Sequence, residues 1–538
     1  MAPNDQGGKR WDRDPAEVLD VHDAEADRGR VKARLGTGVR WTGLSQILMQ
    51  VVRVGSLLVL TRLLEPREFG LVALATIVIG LFERVLGDTG TTAAVIRHRR
   101  LTQGLASSVL WWNLCVGAVT SLVFLAGGEV IAVILGDRAV TDIVRVLGLL
   151  AIINATGYVQ IAYLRRSLAF GRVATAHLTN AIMTAVGTIF FALLDYREWS
   201  LVLGNLLGSA TAALLVWLLS PWRPSRYFSW EEVKEIREFS IYMSAKSFFG
   251  HLSLVGDRFV VGRFIGITEL GFYGLANRLI RYPIQTSAQT YREVVSPGLA
   301  RLQDDHEAVL ATYRRTVGGI AFLIVPLCLL IAVLADPLVP VALGGKWIDA
   351  IDLIPPVALA GAVQAIATTT GSVYVSQGRA DLLFRWSVAS SLIMLAFYAV
   401  GAIWGAEGVA WGFFAGSAAL TYPAFYIPLR LLGARPGAVL GPVLPTVVAA
   451  LVSAGAAAGT STLLDGSVPE LVQLAVAAIV GAAVYLLYAV VRRPVEFNDL
   501  LSIVARRSGG RGAATATSST DRRGASGDNA PRTDNDVD

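Results

Sequence analysis

Uninterrupted apolar blocks, each about as long as a bilayer core is thick, leave this chain one solvent in which to fold. Stretches 316–334, 439–464 and 468–491 hold a single residue charged at neutral pH among them, Glu470. Roughly 20 apolar residues in a helix cross the hydrocarbon core. Inside that core every backbone N–H and C=O must find an internal partner, which leaves helices or a closed barrel. The ten-residue alternating segments of a barrel do not occur. Charged residues make up 16% of the chain, against about 25% in soluble domains. The expectation is an all-α, polytopic membrane protein.

The blocks resolve into about 14 spans, near 41–61, 70–96, 104–126, 140–162, 173–194 and 198–219, then 239–262, 270–297, 316–335, 350–375, 381–403 and 406–428, then 439–464 and 468–491. Alternate loops are basic. One set carries Arg97, Arg99, Arg100, Arg165, Arg166, Arg172, Arg223, Arg226, Lys234, Arg237, Arg301, Arg314, Arg315, Arg379, Arg385, Arg430 and Arg435. The other carries only Arg62, Arg67, Arg138, Arg197, Arg263 and Lys346. Such a bias sets orientation and places both termini in the cytoplasm. The net charge of +6 follows from these helix-end residues and calls for no nucleic acid. Residues 1–38 read as a polar cytoplasmic tail with no secretion signal. Residues 495–538 read as a polar, disordered tail, and 220–238 as a linker with a short surface helix.

Cys115 and Cys328 lie in separate apolar runs and read as small buried residues, with no disulfide framework or metal-ligand spacing. The tryptophans, Trp222 and Trp347 included, cluster near span ends and read as interfacial belts.

A repeat divides the chain. Arg62, Glu68-Phe69-Gly70 and Leu74-Ala75 return at one constant offset as Arg263, Glu269-Leu270-Gly271 and Leu275-Ala276, with Gly55 and Gly256 upstream. Each copy falls at the hairpin joining the first two spans of a half. An even number of spans separates them, so the halves are parallel repeats about an axis along the membrane normal. That is a transporter architecture, with the substrate between the halves. The division expected is 39–219 for the first six spans, 239–428 for the second six, and 439–491 for the last pair.

Further residues carry a resemblance. Trp41-Thr-Gly-Leu-Ser-Gln-Ile47, Thr61-Arg-Leu-Leu-Glu-Pro-Arg-Glu-Phe-Gly70 and Gly87-Asp-Thr-Gly-Thr-Thr-Ala-Ala-Val-Ile96 are joined by Asp257-Arg-Phe-Val-Val-Gly-Arg-Phe-Ile-Gly266 and Leu270-Gly-Phe-Tyr-Gly-Leu-Ala-Asn-Arg278. Over residues 38–495 the chain resembles the polysaccharide-transporter (Wzx-like) branch of the multidrug/oligosaccharidyl-lipid/polysaccharide exporter superfamily. The resemblance implies two pseudo-symmetric six-helix lobes plus two C-terminal helices. It also implies a polyprenyl-diphosphate-linked oligosaccharide as substrate, moved to the outer leaflet of a bacterial inner membrane, with membrane lipids and polysaccharide polymerase or assembly proteins as neighbours. A cell-wall precursor flippase and a multidrug exporter share that fold. A membrane enzyme of glycan assembly would need a soluble catalytic domain, a metal pair or a nucleotide loop, and the short loops offer none; no catalytic residue, metal or cofactor is expected.

Ionisable groups inside spans are costly, so they face a cavity or a partner. Arg278, Arg281, Gln285, Gln289 and Arg292 follow one another at steps of three and four, placing them on one helix face. Arg binds phosphate oxygens bidentately and keeps its charge. The candidate headgroup site is Arg53, Arg84, Lys246, Arg278 and Arg281. The opposing expectation is internal ion pairing, Arg53 with Glu83 and Arg258 with Asp257. Glu83, Asp88 and Asp257 are candidates for ion coupling.

Overall fold

The computed structural model describes residues 14, 17, 19, 28–86, 88–98, 100–294, 306–367, 369–494 and 497. Among these the secondary structure is helical apart from short turns, with no strand. The first half holds α1 (Arg28–Leu63), α2 (Pro66–Leu86), α3 (Asp88–Arg97), α4 (Gln103–Leu135), α5 (Thr141–Leu147), α6 (Leu150–Arg166), α7 (Phe170–Leu193) and α8 (Glu198–Leu219). The second half holds α9 (Trp230–Val260), α10 (Ile267–Val294), α11 (His306–Val333), α12 (Ala335–Ala342), α13 (Ile354–Ala367), α14 (Thr370–Ser376), α15 (Ala380–Gly401) and α16 (Gly405–Leu431). Then come α17 (Gly437–Leu464) and α18 (Glu470–Arg492).

Nine stretches of the described residues are long and apolar enough to cross a membrane, one of them, Asp381–Leu431, running through both α15 and α16. Apolarity alone therefore counts nine stretches where the spacing of blocks suggested about 14. Helices α9 and α10 stand where spans were expected but carry Lys246, Asp257, Arg258, Arg278 and Arg281, and α2 carries Glu83 and Arg84 near its end. Helix α13 is apolar but short. The charged helices are the ones that meet across the halves: α2 packs on α9 and α10, and α3 on α9.

Small residues set the closest helix approaches, as in other membrane bundles. Gly204 and Gly208 of α8 press on Thr188 and Thr184 of α7, and Gly412 of α16 on the backbone of Phe397 in α15. Helices α17 and α18 pair with each other and dock on α11; the Tyr485 hydroxyl donates to the Phe322 carbonyl at 2.8 Å.

The linker is built differently from expectation. No separate surface helix forms, because Trp230 starts a single 31-residue helix that continues to Val260. Residues 220–229 are pinned along α4 instead. The Trp222 indole donates to Gln103 Oε1 at 2.8 Å, the Trp111 indole to the Ser225 carbonyl at 3.0 Å, and the Ser225 and Ser229 amides to the Ser107 and Ser108 hydroxyls. Trp222 is 2% exposed, so it anchors the linker to the first half and is not an interfacial belt. Trp222→Ala removes both a buried ring and a buried hydrogen bond, and is expected to cost about 3–5 kcal/mol. Thermal unfolding of the detergent-purified protein would show it as a lowered midpoint.

Residues of the N-terminal tail also make contacts. The Leu19 amide donates to the Leu101 carbonyl and the Gln103 amide to the Glu17 carbonyl, both at 2.8 Å. Of the tail expected to be disordered at 495–538, Phe497 packs against the Phe322 ring at 6.3 Å, and residues 495, 496 and 498–538 lie outside the described set. Cys328 is buried as expected, whereas Cys115 is on the outer side of α4 and exposed, because position 115 of that helix faces away from the bundle.

Candidate functional site

The two copies of the repeat touch each other. A Cβ at Gly70, near the start of α2, would collide with the Ile267 carbonyl at the start of α10. A Cβ at Gly271 would collide with the Pro66 carbonyl. Pro66 and Ile267 stand at the repeat offset, as do the two glycines, so one contact is the two-fold image of the other. Glycine is required at both places because the backbones approach too closely for any side chain.

This contact lies on the face opposite the Arg-rich loops, and more residues reinforce it. Trp347, 0% exposed, donates to the Thr61 carbonyl at 2.8 Å. Its ring meets Phe69 of the first half edge-on at 5.3 Å and Phe272 of the second at 5.9 Å. Such edge contacts each add about 0.5–1.5 kcal/mol beyond area burial. Arg62 donates to the Val341 carbonyl. On this face the halves are shut. Trp347, expected in a belt at the interface, is the wedge of the closure.

Just inward lies a polar cluster. Arg278 places its guanidinium over the Phe69 ring, 5.7 Å from the centroid, a cation–π contact made across the halves. One turn on, Arg281 donates from Nε to Asn277 Oδ1 and from its terminal nitrogen to the Leu254 carbonyl, both at 2.8 Å. Asp257 of α9 is 0% exposed. Its Oδ2 accepts from the Tyr273 hydroxyl at 3.0 Å and Asn277 Nδ2 at 3.1 Å, and its Oδ1 faces Arg258 Nε at 3.9 Å. The expected Asp257–Arg258 pairing is present, and Asn277 bridges Asp257 to Arg281. Tyr273 and Asn277 escaped the sequence reading. The available signal was their spacing: residues 273, 277 and 281 advance by four along α10.

The other expected site residues separate. Arg53 is exposed on α1 and pairs with no carboxylate among the described residues, so the alternative pairing with Glu83 does not form. Glu83 accepts from Asn154 Nδ2 at 2.9 Å, inside the first half. The side chains of Arg84, Asp88, Lys246, Gln285, Gln289 and Arg292 lie outside the described residues. Arg278 and Arg281 are therefore the two headgroup candidates that the described geometry brings together, with Asp257 beside them.

On the Arg-rich face α9 meets α3 and α4. His98 Nε2 lies 3.0 Å from Glu235 Oε1, and the Ser108 hydroxyl donates to Glu232 Oε2 at 2.8 Å. Burial holds the Glu232 carboxyl above its usual range, with the Ser108 hydrogen bond opposing. A surface cleft of about 920 Å³ opens here, lined by Arg97, His98, Arg100, Glu232 and Glu235. Its charges are mixed, unlike the basic face of α10.

Comparison with known proteins places this geometry. The sequence profile of a family described as "Polysaccharide biosynthesis protein" matches residues 59–352. The lipopolysaccharide biosynthesis protein WzxC of Escherichia coli (strain K12) is 22% identical over 384 residues, 70% of this chain and 77% of that protein. The succinoglycan biosynthesis transport protein ExoT of Rhizobium meliloti is 26% identical over 69% of this chain and 76% of its own. The teichuronic acid biosynthesis protein TuaB of Bacillus subtilis is 23% identical over 66% and 74%. Among solved structures, the lipid II flippase MurJ in an inward closed conformation superposes with a TM-score of 0.69 at 15% identity, covering 86% of this chain and 99% of that one. An inward-facing multidrug resistance MATE transporter gives 0.60 at 17% identity, covering 73% and 94%. At these identities the structural likeness establishes the fold alone: an all-helical membrane bundle.

Proposed function

The chain belongs to the polysaccharide biosynthesis protein family, and from that membership we propose that it is a flippase that carries a polyprenyl-diphosphate-linked oligosaccharide from the cytoplasmic to the outer leaflet. It is a multi-pass membrane transporter, not an enzyme. The Arg-rich loops are cytoplasmic, as the positive-inside bias dictates, and so are both termini. The shut face with the paired glycines is then the outer gate, and transport proceeds by rocking the two halves about it.

The observation that carries this reading is the pair Arg278 and Arg281 on α10, directly inside the gate, with Arg278 reaching Phe69 of the other half. A diphosphate cannot cross hydrocarbon bare, since each charge at mid-bilayer costs at least ~2.5 kcal/mol. Two guanidinium groups supply forked donors to its oxygens and cancel its charge. Arg84 and Lys246 complete the basic face in this proposal, and Arg53, exposed on α1, meets the headgroup on entry. Glu83, Asp88 and Asp257 are the carboxylates available to couple an ion to the cycle. Polysaccharide polymerase and assembly proteins would receive the product.

The test is the double variant Arg278→Ala with Arg281→Ala in a strain lacking the native protein. Each lost charge-assisted contact is worth about 1.5–3 kcal/mol, so export should fall by at least about a hundredfold while lipid-linked oligosaccharide accumulates. Wild-type export at normal membrane levels of the variant would overturn the proposal.

A further inference from the structure

The second half contains a groove of about 210 Å³ between α13, α14, α15 and α16. It belongs to neither the gate nor the Arg278/Arg281 cluster. Its polar lining comes from Gln364, Thr370, Ser390, Ser391, Ser417 and Thr421, and no described lining residue carries a charge. Trp386 stands at the end nearer the Arg-rich face. Tyr398 closes the other end, about 18 Å along α15 at ~1.5 Å per residue. There the Tyr398 ring lies against Gly256, where a Cβ would meet it at 3.9 Å, next to Asp257. The groove therefore runs from the Arg-rich side to the edge of the polar cluster.

The hydrogen-bonding state of the lining selects its ligand. Thr370, Ser390 and Thr421 each donate their hydroxyl proton to a carbonyl one turn earlier in the chain. Their oxygens are left as acceptors. Ser417 Oγ, in a residue 7% exposed, has no partner at all, and the Gln364 amide offers both donor and acceptor. An array weighted toward acceptors wants a donor-rich, uncharged ligand. A phosphate would set lone pairs against lone pairs with no cation among the lining residues. A polyprenyl tail would bury these hydroxyls against hydrocarbon and leave them unsatisfied. A sugar ring meets both demands: its hydroxyls donate to the oxygens, and its apolar C–H face stacks on the Trp386 indole. The volume suits one ring.

We propose that this groove is a carbohydrate subsite that accepts one uncharged sugar ring of the lipid-linked substrate while the diphosphate engages Arg278 and Arg281. The proposal rests on the transport reading above and adds to it a determinant of glycan choice.

The full-length protein in nanodiscs, titrated with bare polyprenyl diphosphate and with polyprenyl-diphosphate-glucose, separates the two claims. Wild type should bind the glucosylated lipid about tenfold tighter than the bare one, about 1.4 kcal/mol, which is the net worth of roughly one hydrogen bond. Trp386→Ala and Ser417→Leu should abolish that advantage and leave affinity for the bare lipid unchanged, which also certifies folding. Thr421→Val, a smaller change, should reduce the advantage partway and serves if either of the others fails to fold. An advantage that survives in the variants, or is absent from wild type, overturns the subsite and leaves the headgroup reading standing. Loss of bare-lipid affinity in folded variants would make the groove a tail site and equally overturn it. If wild type binds neither lipid, the transport reading fails first and the subsite with it.

Discussion

Gly70→Leu is expected to abolish export while the protein remains folded in the membrane, and Gly271→Leu should do the same. Each substitution sets a side chain where a backbone carbonyl of the other half already stands, Ile267 for the first and Pro66 for the second. Neither carbonyl is the end of a flexible group, so the strain is relieved only by parting the halves. Overpacking of this kind costs about 1–3 kcal/mol, and each 1.4 kcal/mol shifts the ratio of shut to open about tenfold. Steric conflict with rigid backbone belongs at the upper end of that range, so the shut gate should lose roughly a hundredfold in population. Cysteine probes on the outer ends of α2 and α10 would read the opening as labelling by an impermeant thiol reagent. The two-fold relation sharpens the test, because the single variants should match each other in effect. Variants that export and label like wild type would show that the contact is no gate.

Asp257→Ala should destabilise the protein by about 3–5 kcal/mol, the usual cost of deleting one partner of a buried charged pair. Two groups lose their acceptor together, the Tyr273 hydroxyl and the Asn277 amide, and Arg258 loses the carboxylate that faces it at 3.9 Å. Arg281 would suffer next, since Asn277 holds its Nε. Asp257→Asn keeps an acceptor for Tyr273 and removes only the charge, so its unfolding midpoint should fall much less. If ion coupling runs through Asp257, the Asn variant remains folded yet fails to export. Equal midpoints for wild type and the Ala variant would show that the cluster does not hold α9 to α10.

Much of this was legible in the residues. Block length gave the helical membrane class, and the loop arginines gave a consistent alternation. The repeat was visible as Arg62 with Arg263 and Gly70 with Gly271. What the repeat could not reveal was that its copies meet, since equal offsets establish equivalence by symmetry and say nothing of contact. Trp222 and Trp347 were misread for a related reason. A tryptophan at a span end is usually a belt residue, and only tertiary packing shows that these two are buried wedges. That Arg278 and Arg281 share one face of α10 followed from helical spacing alone. Their partners Tyr273 and Asn277 were not found, because neither is charged and each matters only through Asp257 on another helix. Arg53 stands apart from that cluster because its helix α1 packs chiefly on α7.

The gate seam has the logic of an isologous dimer interface, in which residue i meets j and j meets i, yet both partners are one polypeptide. A true homodimer would have to repeat every charge on both sides of its axis. Fusion lifts that obligation. At the positions equivalent to Asp257, Arg278 and Arg281, the first half carries Ser56, Ile77 and Gly80. The backbone thus closes as a symmetric clasp while the electrostatics beneath it are one-sided, which suits a cargo bearing its charge at a single end.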